Sequence, residues 1–144
     1  MTILNNLKTA GTPVYHCIRL HRGDDLLLSI EELAKKENIK AAVVISSVGC
    51  VLRGRVRNAG ATQIIDIPEH CEILTLNGTV SAQRTHLHIA LSKADLSTVG
   101  GHVKEGCIID TTCELVLMEI PEVAYDTEFD EETGYDELIF TKEI

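Results

Sequence analysis

The chain is poor in aromatic residues, with no Trp, three Tyr and two Phe among its 144 residues. Its core must therefore be built mainly from Val, Ile and Leu, a composition that suits a β-rich structure. A run of apolar residues long enough to span a bilayer is also missing, so we expect no transmembrane helix and no membrane partner. Because the first eleven residues contain no apolar segment of the secretory type, we expect a cytoplasmic protein.

Paired cysteines of the C-x-x-C type are absent, although the chain contains five cysteines. They are scattered along the sequence at Cys17, Cys50, Cys71, Cys107 and Cys113. Their odd number and their strand-like surroundings indicate reduced, buried thiols in a cytosolic protein. Spacing therefore supports neither a cysteine zinc site nor a catalytic thiol.

An excess of positive charge is absent as well. Residues 119–144 contain ten acidic residues and one Lys, while residues 1–118 contain twelve acidic and twelve basic residues, so the net charge of −9 lies in the last segment. A protein held to DNA through its phosphates needs a basic surface, so this charge argues against direct nucleic-acid binding. The chain length predicts one domain over residues 1–144, with a core at about 14–121 and an acidic segment at 122–144.

Three arginines alternate along a predicted strand at Arg53, Arg55 and Arg57. The run R-G-R-V at residues 53–56 resembles part of an AT-hook, but the Pro of that motif is missing and the setting is a strand. An exposed strand face, or a stripe of charge at a subunit interface, is the better interpretation of these residues.

Hydrophobic periodicity predicts many strands and one helix. The helix follows Gly23, with Asp24, Asp25 or Ser29 as its cap, and its apolar face consists of Leu27, Ile30, Leu33 and Ala34. After a polar lead-in at 1–13, we predict strands at 14–20, 41–48, 50–57, 63–67, 71–76, 79–83, 85–92, 107–120 and 137–141. Asn77-Gly78 is predicted to form a hairpin turn, and 125–132 a loop. The fold class is therefore α/β (α+β), with a mostly antiparallel central sheet and one main packing helix.

The histidines at the centre of the chain are the strongest functional signal. His86 and His88 alternate with apolar residues in T-H-L-H-I-A at residues 85–90, so a strand directs both imidazoles to one face. His102 follows Gly100-Gly101, and we expect this pair to form a sharp turn that folds a third imidazole back onto the first two. Three neutral imidazoles are a ligand set for Zn²⁺ with a fourth position open for water or substrate. A hydrogen-bonded or surface role for the histidines is the alternative.

A catalytic site also needs a proton-transfer group and an anion partner. The nearby candidates are Glu72, Glu114 and Arg84. The two glutamates interrupt apolar strands, where a carboxylate is costly unless it is paired. Each glutamate is therefore a candidate ion-pair partner for Arg19 or Arg84, a residue that orients a histidine, or a general base.

Several ordered motifs resemble the PPC (plant and prokaryote conserved) domain over roughly residues 14–121. They are R-L-H-R-G-D-D-L at 19–26, S-S-V-G at 46–49, E-I-L-T-L-N-G-T-V-S at 72–81, H-L-H-I-A-L-S at 86–92, G-G-H-V at 100–103 and T-T-C-E-L-V-L at 111–117. The resemblance implies a homotrimer and a fold similar to that of acetolactate decarboxylase, a zinc enzyme. It also implies that His86, His88 and His102 hold a metal, often taken to be zinc.

In plant members the domain is joined to AT-hooks and contacts transcription factors through a G-R-F-E-I-L motif. The matching stretch here, residues 69–74, keeps only E-I-L. Three hypotheses follow from the sequence. The first is a trimeric metal-binding protein of unassigned activity that acts on a small molecule as a lyase or hydrolase. The second is a non-enzymatic, DNA-associated or transcription-linked regulatory or assembly module. The third is a trimer whose histidines only satisfy hydrogen bonds.

Overall fold

Alternating apolar and polar residues produce strands along most of the chain, and all of the strand pairs in the described part are antiparallel. The computed structural model describes residues 5–143. The first four residues of the expected lead-in lie outside this range, and residues 5–13 contain no helix or strand. The elements in chain order are β1 Val14–His21, α1 Leu26–Lys36, β2 Ala42–Arg57, β3 Ile64–Ile67, β4 Cys71–Val80, β5 Thr85–Ser92, β6 Thr98–Val103, β7 Ile108–Glu119, β8 Val123–Asp130 and β9 Tyr135–Lys142.

Seven strands form the main sheet in the order β1-β7-β2-β4-β5-β6, with β3 paired to β2. The last strand, β6, pairs with β5 and also with the end of β2, so this part of the sheet closes partly on itself. The long strand β2 includes both strands predicted at 41–48 and 50–57, and its register against β7 shifts between Gly49 and Cys50. The architecture confirms the expected α+β class with a mostly antiparallel sheet and one packing helix.

Asp25, one of the three candidates from the sequence, caps the helix α1, which begins at Leu26. The Asp25 Oδ1 atom accepts a hydrogen bond from the Leu28 amide at 3.1 Å, which satisfies one of the unpaired donors of the first turn. Leu26, Ile30 and Ala34 are buried on one side of the helix and belong to the main core. Within residues 5–143 no helix is long and apolar enough to cross a membrane.

The acidic segment forms a β-hairpin, so the prediction of a loop at 125–132 is wrong. Strands β8 and β9 pair with each other in a separate two-stranded sheet. The hairpin is attached to the main sheet by a small apolar cluster in which Val123 and Tyr125 pack with Ala41. The Tyr125 hydroxyl donates to the Ala42 carbonyl at 3.1 Å, and burial raises the pKa of Tyr125 to about 12.

Two predicted turns are also wrong, since both lie inside strands. Asn77 and Gly78 are part of β4, where a Cβ on Gly78 would overlap the carbonyl oxygen of His86 in β5. Gly100 and Gly101 lie in β6, and neither has a positive φ. These glycines therefore serve close packing between neighbouring strands, because they have no side chain, and not a reversal of the chain.

Candidate metal centre

Strand β5 presents its two histidines as the alternation in the sequence predicts. Leu87 and Ile89 are 1% and 4% exposed and point into the core. His86 and His88 lie on the opposite face, where His86 is half-buried and His88 is exposed. The apolar side chains of β5 thus hold the strand against the core and direct both imidazoles away from it.

His102 reaches these two residues by strand pairing. It lies directly opposite His88 in the β5–β6 register and opposite Arg57 in the β2–β6 register. Close approach of β6 to β2 depends on Gly101, since a Cβ at that position would lie 2.6 Å from the Arg57 carbonyl oxygen. The expected convergence of three imidazoles is therefore present, although a strand and not a turn produces it.

We call His86, His88 and His102 the histidine cluster. One ring nitrogen from each residue lies within 4.8 Å of the others. The ring centroid of His86 lies 5.0 Å from the ring centroid of each of the other two histidines. The ring centroids of His88 and His102 are 5.6 Å apart. Such a separation of donor atoms is compatible with one ion bound at about 2.0–2.1 Å from each nitrogen after small side-chain adjustments.

Burial and nearby positive charge keep two members of the cluster neutral. Burial, followed by the charge of Arg57, lowers the pKa of His102 to about 4. Burial also lowers the pKa of His86, with further contributions from Arg84, His88 and Arg57. In addition, the His102 Nδ1 atom is buried without a hydrogen-bond partner among residues 5–143. Neutral imidazoles with an unused nitrogen have the protonation state that a metal ligand requires.

The cluster forms part of the wall of a cavity of about 960 Å³, which we call the histidine cavity. Arg57 and Arg84 also line it, as do Asp136 and Glu137 from the start of β9. Uncharged residues complete the wall, namely Asn58, Ala59, Gly60, Ala61, Thr75, Asn77, Thr85, Ile89, Ala90, Gly100, Gly101 and Tyr135. The cavity thus combines imidazoles, guanidinium groups and carboxylates in a volume that suits a small molecule.

Of the three candidates for proton transfer and anion binding, only Arg84 lines the histidine cavity. Glu72 lies on β4 opposite Cys50, and Glu114 on β7 opposite Arg19, and neither glutamate is among the residues of the cavity wall. Arg19 donates from Nε to the Thr112 hydroxyl at 3.2 Å, and the described residues show no ion pair between Arg19 and Glu114. The glutamates are thus exposed residues of the sheet surface.

The sequence did not identify Arg57 and Glu137 as site residues, although both line the cavity. Arg57 was identified only as the last member of an alternating stripe, in which Arg53 and Arg55 are exposed but Arg57 is half-buried. Glu137 belongs to the acidic segment, and its charge only partly offsets the lowering of the His86 pKa that burial and Arg84 cause. No local pattern marks either residue, because both reach the site through pairing or packing between distant segments.

Comparison with known proteins identifies the family. Residues 8–121 match the Plants and Prokaryotes Conserved (PCC) domain, the family that the motifs resemble. The chain belongs to this family. Its fold agrees with the solved structure of a hypothetical protein from Salmonella cholerae-suis, with a TM-score of 0.91 and 28% identity over 94% of this chain and 99% of the other.

Two further relatives of this PPC protein are a protein of similar length and a much longer one. A metal-containing protein from Archaeoglobus fulgidus is 27% identical, with a TM-score of 0.70 over 91% of this chain and 95% of the other. The bifunctional protein GlmU of Synechococcus sp. strain JA-2-3B'a(2-13) is 38% identical over 128 residues, which are 89% of this chain. The PPC chain spans only 20% of the length of that relative.

Proposed function

We propose that this PPC protein binds one divalent metal ion, zinc in the first instance, through His86, His88 and His102. The observation that carries the proposal is the convergence of three ring nitrogens within 4.8 Å of one another on the wall of a cavity. The Nδ1 of His102 is buried without a hydrogen-bond partner in the described part of the chain, so this nitrogen is free to bind the ion. The metal content of the relative from Archaeoglobus fulgidus supports it.

We further propose that the protein acts on a small molecule in this cavity as a lyase or hydrolase. A bound ion would supply Lewis acidity. Arg57 and Arg84, which line the cavity, would bind and orient the substrate, and the Glu137 carboxylate of the same wall would hold a proton. All five cysteines are free thiols, but the prediction that they are buried is wrong for Cys17, which is exposed, and for Cys50, which is half-buried. We propose a cytoplasmic location, where free thiols stay reduced.

Metal analysis of untagged protein tests this proposal. We expect about one zinc per chain by inductively coupled plasma mass spectrometry after gel filtration in metal-free buffer. Protein reloaded with equimolar zinc, cobalt or manganese would then show which ion the imidazole site prefers. Less than about a tenth of an ion per chain, both before and after reloading, would contradict the proposal.

A second candidate, a non-enzymatic assembly module, is supported by the similarity to GlmU. The match to a fifth of a longer protein indicates that the domain also occurs as one part of a larger chain. This candidate predicts a stable oligomer without metal. The metal analysis therefore separates the two functions.

We propose a homotrimer for either function, with the open face of the sheet as the subunit interface. This open face carries exposed apolar side chains, with Tyr15 56%, Val48 58% and Leu74 56% exposed. The strand registers place Val48 and Leu74 on the same side of the sheet as the histidines. Exposed apolar residues on neighbouring strands are typical of surfaces that another subunit covers.

Val48→Lys is expected to convert the trimer into a monomer. The new ammonium group lies beside Glu114, its partner in the β2–β7 register, so the isolated chain tolerates it while an apolar interface does not. Light scattering after gel filtration measures the mass. Leu96→Lys is the matched control, since Leu96 is 82% exposed outside the strands and its replacement should leave the trimer intact. An unchanged mass for Val48→Lys would exclude this face as the interface.

A further inference from the structure

The Arg57 guanidinium has an unusual environment for a cation. Its Nε atom is buried and has no hydrogen-bond partner among residues 5–143. Arg57 ends strand β2, opposite His102, and its side chain lines the histidine cavity. Buried donors are almost always paired in native proteins, so an unpaired one beside a cavity indicates a partner that occupies the cavity.

Two other arginines of the described chain, Arg22 and Arg55, have carboxylate partners. Arg22 Nε lies 3.3 Å from Asp110 Oδ1, and Arg55 Nε lies 3.6 Å from Asp66 Oδ1. Arg57 and Arg84 form no such ion pair within residues 5–143, although the carboxylates of Asp136 and Glu137 line the same cavity. The two guanidinium groups thus remain available to a bound molecule.

The charge of the cavity changes when a metal is present. Without an ion, the formal charges of the two arginines in the cavity wall balance those of Asp136 and Glu137. A divalent ion then leaves an excess of two positive charges in a partly desolvated site. Such an excess favours an anionic ligand, and a guanidinium matches the geometry of a planar or tetrahedral oxyanion.

We propose that the histidine cavity takes a small molecule with an oxyanion group, a carboxylate or a phosphate, that accepts a hydrogen bond from Arg57 Nε beside the metal. Arg84 contributes a second positive charge to the same group. This inference rests on the proposed metal site, and it names the substrate class of that site. Asp136 and Glu137 of β9 line the same cavity and would repel a second anionic group, so the ligand carries its charge at one end.

Isothermal titration calorimetry with simple probes tests the inference on the zinc-loaded protein. Lactate, inorganic phosphate and the neutral analogue lactamide are titrated separately. We expect lactate or phosphate to bind and lactamide to bind at least about tenfold more weakly, because it lacks the charge that the guanidinium requires. Tighter binding of lactate would indicate a carboxylate ligand, and tighter binding of phosphate would indicate a phosphate ligand.

Arg57→Gln should weaken binding of the preferred anion by about tenfold or more, since the amide retains polarity but not the charge. Arg53→Gln is the matched control, because Arg53 lies on the same face of β2 but outside the histidine cavity, and it should bind the anion normally. Arg84→Gln provides a second test if Arg57→Gln does not fold. Circular dichroism and zinc content are measured on each variant, so a loss of fold or metal is recognised.

Three results would overturn the inference: binding of lactate and phosphate no tighter than that of lactamide, normal anion binding by folded Arg57→Gln and Arg84→Gln, or no binding of either anion to zinc-loaded wild-type protein. Failure of the metal proposal is detected separately by zinc content. Anion binding that depends on Arg57 in metal-free protein would support the anion site even if no zinc were found.

Discussion

His102→Ala is expected to lower zinc affinity by more than about 100-fold. Loss of residues that merely orient a ligand already costs about 10–100-fold in affinity, and removal of a ligand should exceed that. His102 is the member of the histidine cluster on β6, so no other imidazole of the cluster replaces it. Competition with a chromogenic chelator measures the affinity of each variant.

The same substitution separates a metal ligand from a structural histidine. His102 Nδ1 has no hydrogen-bond partner among the described residues, so metal-free His102→Ala should lose less than about 1 kcal/mol of its free energy of unfolding. If the histidine instead satisfied core hydrogen bonds, its replacement would lower the free energy of unfolding by more than this amount. His21→Ala is the control, since the side chain of His21 is 70% exposed and lies outside the cluster. Full zinc stoichiometry and affinity in His102→Ala would refute the assignment.

Gly101→Ala is expected to damage both stability and metal binding. The added methyl group would lie 2.6 Å from the Arg57 carbonyl oxygen and 3.2 Å from the Val56 Cβ, so β6 must move away from β2. Overpacking of this kind costs about 1–3 kcal/mol in free energy of unfolding. Because His102 is the next residue of β6, the same movement displaces a ligand of the cluster.

Urea unfolding of metal-free protein and zinc titration of folded protein measure the two effects of Gly101→Ala. Thr98→Ala is a suitable control on the same strand, because Thr98 is exposed and its replacement removes atoms without adding any. The control should match wild type in both assays. Wild-type stability and zinc affinity in Gly101→Ala would contradict the conclusion that the close approach of β6 to β2 positions His102.

Elements whose pattern is complete within a few residues were predicted correctly. In β5 the period of two separates the imidazoles from Leu87 and Ile89, and the structure confirms this separation. Asp25, one of three candidates before an apolar stripe with helical spacing, caps α1. In each case the backbone geometry of one element determines the direction of its side chains.

Predictions from glycine were less successful. Asn77-Gly78 and Gly100-Gly101 both have the composition of a turn, yet both pairs lie in strands. A glycine permits a turn and also permits a neighbouring strand to approach closely, and only the neighbour decides which of these applies. In β4 and β6 the neighbours are the carbonyl groups of β5 and β2.

The sequence by itself determined the family, the fold class and the three histidines, because these depend on ordered motifs and on the alternation of side chains along a strand. Only the tertiary structure identified Arg57 and Glu137 as residues of the same cavity. Arg57 reaches His102 through the register of β2 with β6, and Glu137 reaches the cavity through the docking of the acidic hairpin. Contacts of this kind join segments far apart in the chain, and the free energy of packing the whole core selects them.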